Sequence, residues 1–588
     1  MTEENNFDET KIYDPQAFQE QLEKAQQSEK TNSRAARRQK EEKAPTNSKK
    51  TQKPTSAQGQ MVQSTAWLTF GNITSRLLGA VYMIPWIIWL GSDADVANAL
   101  FSKGYNIYAL FLMISTAGIP AAVAKQTARY NSMNEYKLSR DLLFYTLRLM
   151  MVAGVICTLL MYFGAPILAE GNQDLIPVMR SLSVVLLIFP SMSVLRGFFQ
   201  GNSNMKPYAL SQIVEQIARV VYLLAATYLI MKIGSGDYRS AVVQSTFAAF
   251  IGVICAFAVL LYSLFKNRRA YRQEILESDN KISFSGRQLV WQMVLQAVPF
   301  IVIGSGTSIF KIIDQYTFEN TMALFTNYSP RELTSLFALV SANPDKLSMV
   351  VIALGTALAT AGLPLITEKF TQKDKAGLSH LVSNNLQLFF FVMAPATLGM
   401  IVLSYPLNTL FYWPDQLGSN LLIASCISGI LMGLFIVTST MLQGMDGNKV
   451  TMRLLGIAVL VKLITQVPLI FLFKSYGPLI ATFVGLLVGN MFIIDQIHVR
   501  SQFDFKATAK GVIKTFGMAL IMAVVASVVR FGLSLVLSSD SKVQSMIIIL
   551  ITAAVGALVY SLLALKTRTA DQLLGSRVAG IRRRLGMK

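Results

Sequence analysis

Fourteen apolar stretches of about twenty residues or more follow one another along this chain, each long enough to cross about 30 Å of hydrocarbon as an α-helix. They lie at 66–90, 99–124, 140–164, 175–200, 207–232, 240–265, 287–313, 347–367, 380–403, 417–442, 451–473, 478–498, 511–537 and 543–565. The stretches are continuous rather than alternating, which argues against a β-barrel. With 53% hydrophobic residues, 15% charged residues and a mean hydropathy of +0.45, an ordinary soluble domain is excluded as well. The expected class is an all-α polytopic membrane protein.

The few charges are segregated, and their segregation orients the chain. Alternate connections carry Lys125, Arg129, Lys137 and Arg140; Lys206; Lys266, Arg268, Arg269, Arg272, Lys281 and Arg287; Lys369, Lys373 and Lys375; Lys449 and Arg453; and Arg500, Lys506, Lys510 and Lys514. The intervening connections carry only Lys232, Arg239, Arg331, Lys346, Lys474 and Lys542. Cationic loops stay in the cytoplasm, so a multi-pass protein of the cytoplasmic membrane with both termini inside is expected. The same bias accounts for the net charge of +20 without a nucleic-acid partner. Residues 1–60 are polar, acidic as far as Glu29 and basic from Lys30 to Lys53, and read as a disordered cytoplasmic tail. The first apolar run starts near Ala66, too late for a cleaved signal, and is expected to stay as an anchor.

Chemistry that would mark an enzyme is missing from the pattern. Cys157, Cys255 and Cys426 all fall inside apolar stretches, and His380 and His498 stand far apart, so neither a disulfide framework nor a metal site is expected. There is no phosphate-binding G-x-x-x-x-G-K-[ST] loop and no recognisable catalytic triad or dyad, so no enzyme and no cofactor are expected.

Two short motifs are written twice. "STAGIPAAVAK" (115–125) returns as "ATAGLPLITEK" (359–369), and "FQGNSNMKP" (199–207) as "LQGMDGNKV" (442–450), at separations of 244 and 243 residues. Each copy closes the corresponding span of two six-span repeats. Six is even, so the repeats are parallel and related by an axis along the membrane normal, with a central cavity between two lobes. The expected organisation is a tail (1–60), an N-lobe (61–265), a cytoplasmic linker (266–286), a C-lobe (287–498), two further helices (499–565) and a basic C-terminal tail (566–588). Gly118 with Pro120, and Gly362 with Pro364, remove a side chain and a backbone donor from a helix near its end and are hinge or gate candidates. The connection 314–346 is expected to form short helices, either at the outer surface or as a plug between the halves.

"SRLLGAVYMIP" (75–85), "YNIYALFLMISTAGIPAAVAK" (105–125) and "SQIVEQIARV" (211–220) resemble the stage V sporulation protein B-like branch of the multidrug/oligosaccharidyl-lipid/polysaccharide exporter superfamily. That branch is similar to the MurJ-type flippases. The resemblance covers about residues 61–565 and implies fourteen helices in two lobes around a cavity. It also implies an undecaprenyl-diphosphate-linked saccharide as substrate, the lipid-linked peptidoglycan precursor first and a capsule, teichoic acid or exopolysaccharide unit as the alternative. Membrane lipids and cell-wall synthesis proteins are the further partners it suggests. One departure stands out: three residues after Gly79, where such proteins usually carry arginine, this chain has Tyr82.

An ionised group inside the bilayer costs about 2.5–3.5 kcal/mol, so each needs a reason. Arg76 lies about ten residues into the first span, Glu215 and Arg219 stand at i and i+4 in the fifth, and Lys462 is at similar depth in the eleventh. Placed on a cavity wall, Arg76, Arg219 and Lys462 would offset the desolvation of a diphosphate, with Glu215 orienting Arg219. A permanent Glu215–Arg219 pair is the structural alternative. Lys103, Arg148, Arg180, Lys311 and Arg530 lie near span ends and are expected to reach the interface. Asp314 is a candidate ligand for a coupling cation, and the membrane potential is the other available drive. A drug exporter would favour an acidic cavity, and a wall-synthesis scaffold has no use for buried charge, so both readings rank below flipping.

Overall fold

The computed structural model describes residues 78–278, 297–574 and 582, apart from positions 80, 117 and 361. Arg76, the tail 1–60 and nearly all of the basic C-terminal end lie outside the described residues. Among those described there is no strand.

The first half comprises α1 (Met83–Leu90), α2 (Ala94–Thr116), α3 (Ile119–Ser132), α4 (Tyr136–Leu168), α5 (Leu175–Gly201), α6 (Met205–Tyr228), α7 (Tyr238–Lys266) and α8 (Arg268–Leu276). The second comprises α9 (Ala297–Gly304), α10 (Gly306–Ala323), α11 (Pro330–Phe337), α12 (Asn343–Thr360), α13 (Leu363–Thr371), α14 (Lys375–Val402), α15 (Ser404–Phe411), α16 (Gln416–Gly444), α17 (Asn448–Phe473) and α18 (Gly477–Ser501). After it come α19 (Phe505–Ser534), α20 (Lys542–Lys566) and α21 (Thr569–Leu574). Four of the long helices begin where an aspartate accepts backbone N–H groups of the first turn: Asp237 before α7, Asp374 before α14, Asp415 before α16 and Asp504 before α19. Lys369 at 2.8 Å and the Gly377 N–H hold the Asp374 carboxyl below its ordinary range.

Among the described residues, eleven helical stretches are long and apolar enough to span, or twelve with the pair α9 and α10, which bends by 42°. Two of the eleven, Met83–Ser132 and Asn448–Ser501, run to 50 and 54 residues, far beyond one bilayer crossing. They are broken at Gly91–Asp93 and Thr116–Ile119, and at Lys474–Tyr476. The count of fourteen is therefore not reproduced as such, although twelve of the expected spans coincide with described helices, and the first and the seventh are described only from Leu78 and Ala297.

Both copies of the first motif break a helix. Gly118 adopts φ +75°, the left-handed region open to glycine, between α2 and α3, and Pro120 starts α3 where a missing N–H costs nothing. In the second copy Pro364 likewise starts α13, while Gly362 stays right-handed at φ −81°. The second motif explains the first: α3 lies against the end of α5. A Cβ at Gly197 would come within 2.3 Å of the Pro120 carbonyl oxygen, and one at Gly201 within 2.6 Å of the Ala124 carbonyl oxygen. Only glycine admits that approach. In the second half α13 likewise packs on α16.

The connection 314–346 is a plug. α10 runs to Ala323, and Leu333, Phe337 and Val340 are buried with Ala99, Phe318, Leu421 and Ile470, residues of both halves. A first core joins α1–α7, a second joins α10, α12, α14 and α16–α18, and a third seats α19 and α20 on α14.

Candidate functional site

Where each buried charge finds its partner locates the chemistry, because an unpaired one is expensive in hydrocarbon. Glu215 and Arg219 share a face of α6 but do not pair. The Glu215 carboxylate accepts from Nη2 of Arg196, on α5, at 2.6 Å. Arg196 also donates from Nε to the Ser211 hydroxyl at 2.9 Å and lies over the Tyr208 ring at 5.7 Å. The expected role of Glu215 in orienting Arg219 is therefore corrected. An interhelical guanidinium that reaches the carboxylate end-on outcompetes a same-helix neighbour, whose approach the helix geometry fixes.

Arg219 turns the other way, towards α2. Its Nη2 donates to the Tyr105 hydroxyl at 2.5 Å, and its guanidinium lies 5.1 Å from the Tyr105 ring centroid. Tyr105 is itself stacked on Phe101 at 4.6 Å and edge-on to Tyr108 at 5.6 Å. Among the described residues Arg219 has no carboxylate within ion-pairing reach, and its Nε has no hydrogen-bond partner. The side chain is only half-buried.

Lys462 stands 243 residues after Arg219, the separation of the second motif pair, and the surrounding backbone repeats too. Gly252 of α7 packs on the Glu215 carbonyl oxygen and the Arg219 Cβ; Gly485 of α18 packs on the Ala458 carbonyl oxygen and the Lys462 Cβ. The fates of the two cations differ. Lys462 is fully buried inside the second half, with Nζ 2.8 Å from Asp314 Oδ1 and 2.5 Å from the Thr482 hydroxyl, above the Phe310 ring at 5.2 Å. Gln466 donates to the same Asp314 oxygen at 2.8 Å. Two expectations are thereby corrected: Lys462 does not face a cavity between the halves, and Asp314, the candidate cation ligand, is the counter-ion of Lys462. A cavity of about 60 Å³ lined by Lys311, Asp314, Asp345, Ser348 and Thr482 adjoins the pair.

The halves are tied to each other along their far portion, away from the basic connections. Lys103 of α2 meets Glu319 of α10 at 2.7 Å, and Asn106 donates to Gln315 at 3.2 Å. Asn98 donates to Asn343 at 2.5 Å, and Lys346 donates to Asn98 while lying over the Phe101 ring at 4.8 Å. Arg331 pairs with Asp93, and Tyr316 donates to the Leu168 carbonyl oxygen at 2.9 Å. All hydrogen bonds and ion pairs between residues 78–278 and 297–574 lie in this belt, among the described residues. Of the charges expected at the interface, Lys103 and Lys311 are instead paired, the latter with Asp345 at 2.6 Å. Arg530 reaches the Val402 carbonyl oxygen at 2.7 Å, Arg180 lies over the Tyr162 ring at 5.0 Å, and Arg148 is exposed.

Arg196 and the Lys346 belt escaped the sequence reading. The signal for Arg196 was present: an arginine inside an apolar span, four residues before the "QG" of a repeated motif. Replacing Arg196 by Met is expected to destabilise the protein by about 2–3 kcal/mol, because it strands the Glu215 carboxylate. Thermal unfolding in detergent measures this, and a loss no larger than that of Arg219→Met would remove the pair from the fold's supports.

Residues 61–323 match the family model described as polysaccharide biosynthesis protein. The chain is 33% identical over 540 residues to the lipid II flippase MurJ of Bacillus subtilis (strain 168), covering 89% of this chain and 98% of that one. Its fold is similar to a solved lipid II flippase MurJ in an inward closed conformation, with TM-score 0.57 and 14% identity over 87% of this chain and 100% of the other. A multidrug resistance MATE family transporter of the MOP superfamily in an inward-facing conformation aligns at TM-score 0.56 and 18% identity over 75% of this chain and 99% of that one.

Proposed function

Because the chain belongs to the MurJ lipid II flippase family, we propose that it carries the lipid-linked peptidoglycan precursor, lipid II, across the cytoplasmic membrane. It does so by alternating access rather than as an enzyme, with both termini in the cytoplasm, the side of the basic connections. The lobes 61–265 and 287–498 are the rocking units, joined by the linker 266–286, and the glycine–proline breaks at Gly118–Pro120 and Gly362–Pro364 act as their hinges or gates.

One observation carries the reading: Arg219 is a half-buried guanidinium on the helix that repeats as α17, without a carboxylate partner and with Nε unused among the described residues. A diphosphate entering from the basic side meets there the charge-assisted donors that offset its desolvation. Arg76, outside the described residues, adds a second cation on the same principle. The belt Lys103–Glu319, Asn106–Gln315 and Asn98–Asn343 acts as the outer gate, closed while the headgroup loads from inside. The crevice of about 510 Å³ between α14, α19 and α20, lined by Phe391, Met400, Met522 and Tyr560, suits the prenyl chain. The drive is the membrane potential, worth about 2.3 kcal/mol per charge per 100 mV. A monovalent ion at Asp314 would first have to displace Lys462.

Depletion of the protein is expected to accumulate lipid II on the inner leaflet and to stop wall synthesis, read by the accessibility of the precursor to an externally added probe. Accumulation of a different undecaprenyl-linked saccharide, with lipid II still reaching the outer leaflet, would replace this reading by the flipping of a capsule, teichoic acid or exopolysaccharide unit.

A further inference from the structure

Helix α8 follows α7 after a single residue at the basic end of the first half. Its sequence, RRAYRQEIL, sets Tyr271 and Ile275 one turn apart, and Tyr271 packs edge-on against Phe198 of α5 at 5.9 Å. Just beyond α8, the Ser278 hydroxyl accepts from the Lys137 N–H at 3.3 Å. Together α8, the start of α4 and the end of α7 enclose a cavity of about 540 Å³.

The lining of that cavity combines three guanidinium groups with exposed apolar surface. Arg140, Arg268 and Arg272 contribute the charge, and Phe144 and Phe265, 50% and 64% exposed, contribute the apolar wall. Among the described residues neither Arg268 nor Arg272 has a carboxylate within ion-pairing reach, and Arg140 touches only its chain neighbour Asp141, at 3.3 Å. The one acid in the lining, Glu274, pairs with none of the three among the described residues, and its burial and Glu277 raise its carboxyl. Ser139 also lines the cavity; it is 3% exposed, and its hydroxyl has no hydrogen-bond partner among the described residues.

We propose that this cavity binds an anionic phospholipid of the surrounding bilayer, its phosphate held by Arg140, Arg268, Arg272 and the Ser139 hydroxyl and its acyl chain laid along Phe144 and Phe265. Three guanidinium groups against Glu274 in the lining and Asp141 beside Arg140 leave the site net positive, which calls for an anion. Planar guanidinium forks match a phosphate diester. The site lies at the end of the spans, where a headgroup of the cytoplasmic leaflet sits and where basic pockets between helices take anionic lipids. The apolar wall excludes a free inorganic anion as the best occupant. Lipid held there fastens α8, the first element of the connection between the halves, to the charge of the inner leaflet. The site is separate from Arg219 and does not depend on what the chain transports.

The test uses the full chain purified in neutral detergent and titrated with phosphatidylglycerol, phosphatidylcholine or undecaprenyl diphosphate, reading the thermal unfolding midpoint and the lipid retained in native mass spectrometry. Phosphatidylglycerol is expected to raise the midpoint saturably and to be retained, while phosphatidylcholine does neither. Arg268→Gln with Arg272→Gln is expected to weaken phosphatidylglycerol binding about thirtyfold, each arginine near an anionic lipid being worth about a factor of five. Both residues are exposed, so the unliganded midpoint should stay where it is. If that midpoint falls, Ser139→Ala and Phe144→Ala provide the same titration without removing charge. Equal stabilisation by phosphatidylcholine, unchanged phosphatidylglycerol binding in the variants, or preferential capture of undecaprenyl diphosphate by the wild type that the double variant loses would overturn the proposal.

Discussion

Asp314→Asn is expected to destabilise the protein by about 3–5 kcal/mol, the largest single-site effect outside the glycine contacts. The Lys462 ammonium group has no exposed surface, and its partners among the described residues are Asp314, Thr482 and the face of Phe310. Removing the carboxylate charge leaves a cation in a low-dielectric interior with neutral partners and no counter-ion, the situation in which breaking a buried pair costs most. Lys462→Met should cost a comparable amount, since it leaves the buried Asp314 carboxylate with Gln466 as its remaining donor. The double variant Asp314→Leu with Lys462→Met should recover most of the loss, because apolar side chains of similar volume replace a buried pair at little cost or none. A double-mutant cycle of unfolding midpoints in detergent measures the coupling. Additive single effects, or two singles each below about 1 kcal/mol, would show that the pair does not hold the second half together.

The same pair marks the limit of what a sequence of this kind reveals. The spans were legible because a 30 Å slab forces long unbroken apolar runs, and the repeat was legible because its motifs serve a backbone contact, Pro120 and Ala124 of α3 lying on Gly197 and Gly201 of α5. That contact constrains backbone, so its residues are confined to small types and recognisable spacing. Ion pairs between helices leave no such trace. Glu215 and Arg219 looked paired because i and i+4 is the only adjacency visible along one helix, whereas Arg196 stands 19 residues earlier and Asp314 stands 148 residues before Lys462. Depth alone could not separate Lys103 and Lys311, which find carboxylates at 2.7 and 2.6 Å, from Arg148, which stays exposed. The connection 314–346 stood open between two readings for a related reason: burial of Phe337 and Val340 depends on the other half being there to cover them.

The repeat equivalence of Arg219 and Lys462 then gives the second large prediction its force. Two cations at the same position of two similar units have been put to different uses, one neutralised by Asp314 and one left without a carboxylate among the described residues. If Arg219 grips a diphosphate, Arg219→Gln should lower flipping about a hundredfold or more, since two charge-assisted hydrogen bonds at about 1.5–3 kcal/mol each are lost from the bound headgroup. Its stability should change by less than about 1 kcal/mol, because the side chain is half-buried and supports no carboxylate. Arg219→Lys keeps the charge without the planar fork and should retain an intermediate rate. Tyr105→Phe, which removes the hydroxyl that now accepts from Arg219, should leave most of the activity and loosen the guanidinium. Arg196→Met supplies the contrast, losing stability first and transport only as folded protein is lost. Each variant is expressed in cells depleted of the wild type, with lipid II at the outer leaflet and unfolding midpoint read in parallel. Transport by Arg219→Gln at the wild-type rate, or a loss that merely tracks its folded fraction, would leave the headgroup without its proposed anchor, and the burden of binding would pass to residues outside those described, Arg76 first among them.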